Sequence, residues 1–364
     1  MGGGPREPPC RPPRHEAAPA AAQPQAQRGP GREAAGRGRR RGLEGGRPPS
    51  RRGGEEEGGE GGGAVLSREG GEGRRRKKKE KNMSVDWSIW AFRYARSDMP
   101  RDFFGGTLVN SNKGRIRNPM VYSLIHGGEA GSEKPILIDT GMKGDWSPSG
   151  KTYENVEHPD TVLAKVGFAP EDIEDVILTH LHFDHAGNLD RFPNATFHVQ
   201  REEYEGWKQV YDMPGPLGTD TTMWPLSSMQ KKDLDAVEDL LAAGRVTLMD
   251  GDTEFAPGVW CRLARESHTF GCQWVEVQTE NGPYVVAGDC VYWYENIEKM
   301  WPPAYVQGNT WNLIAVYRAI REAVGDETDR IVPGHDPELF LRHPVFEVGH
   351  HPVAEIYLAD GQES

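Results

Sequence analysis

Cysteine is scarce in this sequence. Its 364 residues include four, Cys10, Cys261, Cys272 and Cys290, and no CxxC pair. That excludes a disulfide framework and points to a reducing cytoplasm as the working compartment. Long apolar runs are also missing. None approaches the roughly 20 residues of a membrane helix, which sets aside a membrane role, and no apolar stretch follows the first charges as in a secretory signal. The first 82 residues almost lack apolar side chains. They hold 20 Gly and 10 Pro, but from Val, Ile, Leu, Met, Phe, Trp and Tyr only Met1, Leu43, Val65 and Leu66. Such a stretch cannot bury enough surface to offset the entropy of ordering it, so 1–82 reads as a disordered Gly/Arg/Pro-rich tail. Beyond it, basic charge is what is short. The tail has 20 Lys and Arg against 11 Glu, and the remaining 282 residues have 23 against 44 Asp and Glu, a net of −21. A domain that acidic repels phosphate backbones, which argues against nucleic acid as substrate or partner.

Three readings compete for the tail. It is a basic arm centred on Arg74-Arg75-Arg76-Lys77-Lys78-Lys79, a transit peptide, or a segment outside the functional protein. Eleven Glu and the Gly runs weigh against the second. Met83 stands where the composition changes, and the residues before it can be written in purine-rich codons, as a bacterial ribosome-binding site would be. The hypothesis is a start at Met83 with 1–82 an over-extended gene model. Intact-mass measurement of the native protein decides it, and residues 1–82 present would refute it.

All ten Trp fall in 83–364, the span expected to fold as one domain. Its central stretch is Thr179-His180-Leu181-His182-Phe183-Asp184-His185-Ala186-Gly187-Asn188, directly after the strand-like run Val176-Ile177-Leu178. In extended chain His180 and His182 point the same way, and Asp184 and His185 follow where the chain can bend round a second ion. Strands are expected at 87–94, 121–125, 135–142, 195–199, 245–249, 259–264, 273–279, 284–287 and, last, 330–332. Helices are expected at 159–166, 231–243 and 310–324, each with a glycine after it. Glu280-Asn281-Gly282 marks a hairpin. Phe103-Phe104-Gly105-Gly106 reads as a turn or loop, and 202–232 as an aromatic stretch without regular patterning. His198 reads as a strand residue rather than a ligand. Two sheets packed together with helices outside fit this order.

Three later residues sit at expected strand ends: His268, Asp289 and His335. With the first cluster they make seven imidazole or carboxylate ligands of the kind that suits zinc, iron or manganese. His180, His182 and His268 would hold one ion, Asp184, His185 and His335 the other, and Asp289 can bridge. A water shared between the ions loses a proton near neutral pH and becomes a nucleophile for an ester, lactone, thioester or amide. Asp139 either orients a ligand or holds the strand–turn.

The pattern His180-x-His182-x-Asp184-His185, then His268, Asp289 and His335, resembles the metallo-β-lactamase superfamily over essentially all of 83–364. Ile138-Asp139-Thr140-Gly141-Met142 is similar to that family too. The resemblance implies an α/β fold, the αββα sandwich of two mixed β-sheets flanked by helices, and a dinuclear centre. Bridging Asp289 is unlike true β-lactamases, and His182 is unlike the flavin-diiron proteins, which carry Glu there. N-acyl-homoserine lactonase-like and hydroxyacylglutathione hydrolase-like enzymes remain. Tyr292, three residues after Asp289, matches the lactonases' active-site Tyr, and the long stretch before Asp139 also resembles them. One departure is Phe270-Gly271-Cys272, where the family has Pro-Gly-His. Cys272 and Cys290 therefore lie near the expected metals, as small buried hydrophobes or as stray ligands.

The expectation is a hydrolase with two divalent ions per subunit, zinc first, that opens a lactone ring resembling an N-acyl-homoserine lactone. Tyr292 stabilises the oxyanion and Asp184 shuttles the proton. The alternative is a thioesterase of the hydroxyacylglutathione type or another small-ester hydrolase. The thioesterase needs a cationic patch for glutathione carboxylates, which the sequence does not show. The partner is a small-molecule lactone or ester; the oligomeric state is open, a homodimer being the one specific candidate.

Overall fold

The computed structural model describes residues 86–106, 111–127, 133–144, 152–213, 226 and 228–359. The expectations for the tail, for a start at Met83 and for positions 214–225 and 227 of the aromatic stretch lie outside these residues.

Strand β1 (Trp87–Pro100) alternates two apolar faces: Ile89 and Ala91 enter one core, Trp90, Phe92 and Tyr94 the other. A strand buried on both sides must lie inside a layered fold. It pairs with β2 (Arg115–Gly127), and β3 (Glu133–Ile138), β4 (Asp175–Ile177), β5 (Thr196–Gln200) and β6 (Val246–Met249) follow across the same sheet. On the other side of β1 stand β13 (His351–Tyr357) and β12 (Val345–Val348). The pairs β3/β4, β4/β5 and β5/β6 are parallel and need crossovers. One is made through α2 (Pro159–Lys165), another through α3 (Arg201–Asp212) and α4 (Lys231–Ala242); the earlier α1 is the short turn Arg101–Phe104.

The second sheet runs β11-β10-β9-β8-β7. It is built from β7 (Thr253–Ala256), β8 (Val259–Arg265), β9 (Gly271–Thr279), β10 (Gly282–Gly288) and β11 (Ile331–Pro333). Ile89, Val121 and Ile136 of the first sheet share a core with Val275 and Val285 of the second. The outer face of the first sheet is covered by Val162 of α2, Trp207 of α3 and Leu234 of α4. Helices α5 (Tyr294–Lys299) and α6 (Thr310–Ala323) add Ile297, Leu313 and Tyr317 to the inter-sheet cluster, with α6 packed on β8 and β10. This is an α/β sandwich of two mixed sheets between helices, as expected.

Several elements differ from the expectations. Residues 101–104 are helical, not a loop. The stretch 202–232 begins as a regular helix, because Glu203, Trp207 and Tyr211 recur every fourth residue and all three are buried. Strand β11 is not the last: β12 and β13 follow and join the first sheet, not the second. The three expected helix stops do hold, with Gly167, Gly244 and Gly325 all at positive φ.

The topology gathers chain ends at one rim. Parallel β3 and β4 end at Asp139 and just before His180; parallel β10 and β11 end just before Asp289 and His335. The loop between β8 and β9 brings His268.

Away from this rim, His126 on β2 lies between the rings of Trp90 and Phe168, at 4.4 and 5.2 Å between centroids. Its Nε2 is buried without a hydrogen-bond partner, and burial lowers its pKa to about 4. The unfolded chain takes up a proton near pH 6.5 that the folded ring refuses until about pH 4, so stability falls with pH through that window, by up to about 3 kcal/mol. Denaturant unfolding of wild type and His126→Phe from pH 7.5 to 4 is expected to show the wild type losing ground to the variant as pH falls.

Candidate metal centre

Three features of the chain converge here. The segment after β4 carries His180, His182, Asp184 and His185; the β8–β9 loop carries His268; and the ends of β10 and β11 carry Asp289 and His335. All seven side chains are buried. They form two groups, His180, His182, His268 and Asp289 in one, and Asp184, His185 and His335 in the other, with the ligand atoms of each group within 4.8 Å of one another. Asp289 reaches both groups. Its Oδ2 lies 3.3 Å from His268 Nε2 and 3.6 Å from His180 Nε2, while its Oδ1 lies 3.0 Å from His335 Nε2 and 3.2 Å from His185 Nε2. Gly334 makes room for this: a Cβ there would meet Asp289 Oδ1 at 2.6 Å.

Each imidazole is held by its outer nitrogen. His335 Nδ1 donates to the Pro119 carbonyl at 3.1 Å, and His185 Nδ1 to Asp139 Oδ2 at 2.7 Å. Thr179 Oγ1 donates to Asp139 Oδ2 at 2.7 Å and therefore accepts from His180 Nδ1 at 3.0 Å. Tyr292 Oη lies 3.4 Å from His268 Nδ1, and Gln307 Oε1 lies 2.6 Å from His182 Nε2. Once its outer nitrogen carries the hydrogen, a neutral imidazole presents a lone pair on the inner one. Burial first, then the neighbouring imidazoles, pushes His180 and His182 well below the usual histidine pKa, so both are neutral. Burial works against a charge on Asp289, but His335 and His185 outweigh it and hold its carboxyl well below the usual range.

Three of the inner atoms lack the partners that buried polar groups normally have. His180 Nε2, His185 Nε2 and Asp289 Oδ1 make no hydrogen bond, despite the short distances above. Five imidazoles and two carboxylates converging in two groups are a donor set for divalent cations, and the residues present fit two of them.

Asp139 does both things open to it. It receives Thr179 N and Oγ1, which pins the turn, and it orients His185. Its backbone sits at φ +67°, the left-handed region that Asp tolerates better than most side chains. Asp184 is placed by Tyr94, whose hydroxyl donates to the Asp184 carbonyl at 2.6 Å. Tyr292 packs edge-on against His268 and His335, both at 5.3 Å, and burial, then Asp289, raises its hydroxyl well above the usual phenol range. It keeps its hydrogen and remains a donor. His198 is a strand residue paired to Asp175, as expected. Cys272 and Cys290 face each other at 3.3 Å, fully buried and outside both ligand groups. Burial pushes the Cys272 thiol up, so it is a packed neutral thiol and not a ligand.

The sequence reading missed Glu203. This fully buried carboxylate receives Leu181 N and Trp207 Nε1 on one oxygen, and Thr269 Oγ1 and Gly271 N on the other. It ties the residue between His180 and His182 to the residue after His268. The signal was present: Glu203 falls on the same helical stripe as Trp207 and Tyr211. In Glu203→Gln one of the two oxygens becomes an NH₂ facing two donors, and hydrogen bonds to charged groups are worth about 1.5–3 kcal/mol each. Denaturant unfolding of the metal-free variant is expected to show a loss of about 3 kcal/mol or more; an unchanged midpoint would remove Glu203 from the frame.

The chain is similar to several known proteins. An N-acyl homoserine lactonase from Bacillus sp is 30% identical over 220 residues, covering 57% of this chain and 78% of the relative. The N-acyl homoserine lactonase AttM of Azorhizobium caulinodans is 27% identical over 242 residues, covering 61% and 80%. Among solved structures, an N-acyl homoserine lactone hydrolase with N-hexanoyl-L-homoserine bound at its catalytic metal center superposes with a TM-score of 0.56 at 24% identity, over 72% of this chain and 98% of that one. A quorum-quenching N-acyl homoserine lactone lactonase gives 0.53 at 25%, over 70% and 94%. The family model of the metallo-beta-lactamase superfamily matches residues 122–335, more than half the chain, from the β2 strand through the last of the seven ligands. With that span and that ligand set, the chain belongs to the metallo-β-lactamase superfamily.

Proposed function

We propose that this protein is a dinuclear metal-dependent hydrolase that opens a lactone ring, with an N-acyl-homoserine lactone as the first substrate to test. The observation that carries the dinuclear reading is Asp289, which turns one oxygen toward each ligand group. Support for the lactone comes from relatives named as N-acyl homoserine lactonases, which this chain covers over about four fifths of their length. Zinc is the metal proposed, because imidazole and carboxylate donors with no thiolate suit it and its bound water titrates near neutrality.

His180, His182 and His268 would hold one divalent ion and Asp184, His185 and His335 another, with Asp289 toward both, and such ions would supply Lewis-acid polarisation of a carbonyl and acidify a bound water. The chain's own groups do the rest. Tyr292 Oη donates to the substrate carbonyl oxygen as negative charge builds on it. Asp184 Oδ takes a proton from the attacking water and returns it to the alkoxide that leaves when the ring opens. Burial raises the Asp184 carboxyl from its ordinary pKa, with His185 opposing, Asp289 adding and His335 opposing. Phe104, 4.9 Å from Tyr292, and Trp207, 5.8 Å from His182, place aromatic surface beside both groups.

The test is turnover of a panel of lactones, thioesters and linear esters by the zinc-loaded protein. Lactone hydrolysis is expected to vanish on chelation and return with zinc. Tyr292→Phe, assayed with saturating zinc, is expected to lower kcat on the order of 10²-fold. Rapid thioester cleavage with inert lactones would favour the hydroxyacylglutathione type and sink the lactonase reading.

A further inference from the structure

His182 differs from the other four imidazoles. His180, His185, His268 and His335 are held at Nδ1 and present Nε2; His182 is held at Nε2 and presents Nδ1, 3.2 Å from His268 Nε2. Its holder is a side chain 125 residues away, Gln307, whose Oε1 lies 2.6 Å from His182 Nε2.

The hydrogen bonds behind Gln307 run in one direction in the structure. Tyr305 Oη donates to Ser228 Oγ at 2.7 Å, and Ser228 Oγ donates to Gln307 Oε1 at 3.1 Å. The Ser228 hydroxyl has received one hydrogen and has one to give, so the atom it faces on Gln307 is the acceptor, the amide oxygen. An amide oxygen has no hydrogen, so the hydrogen in the contact with His182 is on Nε2.

The same segment also holds the neighbouring ligand through its main chain. Gln307 N and Gly308 N both donate to the His268 carbonyl at 3.1 Å. Ser228 is fixed in turn, since its carbonyl receives Phe183 N at 2.9 Å, next to His182. Tyr305 stacks on Phe103 at 5.3 Å, which joins the chain to the aromatic wall. Ser228 and Tyr305 are buried, so their hydroxyls have little access to water as an alternative partner.

We infer that Gln307 is a positioning residue that sets the orientation and tautomer of His182, and that Ser228 and Tyr305 hold Gln307 in the required sense. The inference rests on His182 being a metal ligand, as proposed above. Its consequence is asymmetric: the ion held by His180, His182 and His268 depends on Gln307, whereas the ion held by Asp184, His185 and His335 does not.

The test uses the full chain and zinc alone. Chelator competition resolves the two affinities, and nitrogen-15 NMR of the metal-free protein reads the His182 ring. In the wild type, His182 is expected as the Nε2–H tautomer, with that hydrogen protected from exchange. Gln307→Leu is expected to lose the protection and to weaken one zinc by about 10- to 100-fold while the other holds. Gln307→Glu, which keeps the acceptor, is expected to retain both ions, and Tyr305→Phe, which keeps the stacked ring, to show a smaller loss at the same ion. A His182 Nδ1–H tautomer in the wild type, or two unchanged affinities in Gln307→Leu, overturns the inference, as does an equal loss of both ions, which would indicate a general structural role. A wild type that binds fewer than two zinc ions contradicts the dinuclear reading instead, and the NMR readout still decides the role of Gln307.

Discussion

Every imidazole at the rim has one nitrogen committed to the protein, and the site depends on this constraint. A histidine side chain alone can offer either nitrogen and rotate about its last torsion. Here Asp139, Thr179, Tyr292, Gln307 and the Pro119 carbonyl each take one nitrogen and leave the other facing inward. The free energy of building such a site goes into burying polar groups, which is unfavourable unless they are partnered. The outer nitrogens are partnered by the protein. Of the inner atoms, His180 Nε2, His185 Nε2 and Asp289 Oδ1 have none.

The holders come from distant parts of the sequence, which is why the sandwich matters. Asp139 ends β3 and reaches the segment after β4 because those strands are parallel neighbours. Asp289 and His335 meet because β10 and β11 are parallel and end together. Glu203, at the start of α3, binds the segments on either side of the three-histidine group with three hydrogen bonds. Two sheets ending at one rim thus turn separate loops into a single rigid frame, the condition for ligands to converge before an ion arrives.

The two candidate ligand groups were legible in the sequence because metal chemistry restricts residue type: His180-x-His182-x-Asp184-His185 is too dense in donors for an ordinary turn. The two-sheet order was legible because buried strands leave apolar runs. The frame around the ligands was harder to read. Gln307 lies in an irregular segment where no periodicity marks it, and its role exists only through contacts with residues 79 and 125 positions away. Glu203 was visible in principle, as a carboxylate on an apolar stripe, but the aromatic residues and glycines around it obscured the helix. Strands β12 and β13 were missed because His350, His351 and Pro352 interrupt the apolar pattern, although β13 pairs with β1 along most of its length.

Asp289 between two ions is the centre of this account. Anomalous diffraction at the zinc edge, from crystals of the zinc-loaded protein, tests it most directly. The account predicts two peaks roughly 3.5–4 Å apart, the usual spacing of two-metal sites, one on each side of the Asp289 carboxylate. A single peak, or two peaks that leave Asp289 outside both coordination spheres, would contradict it.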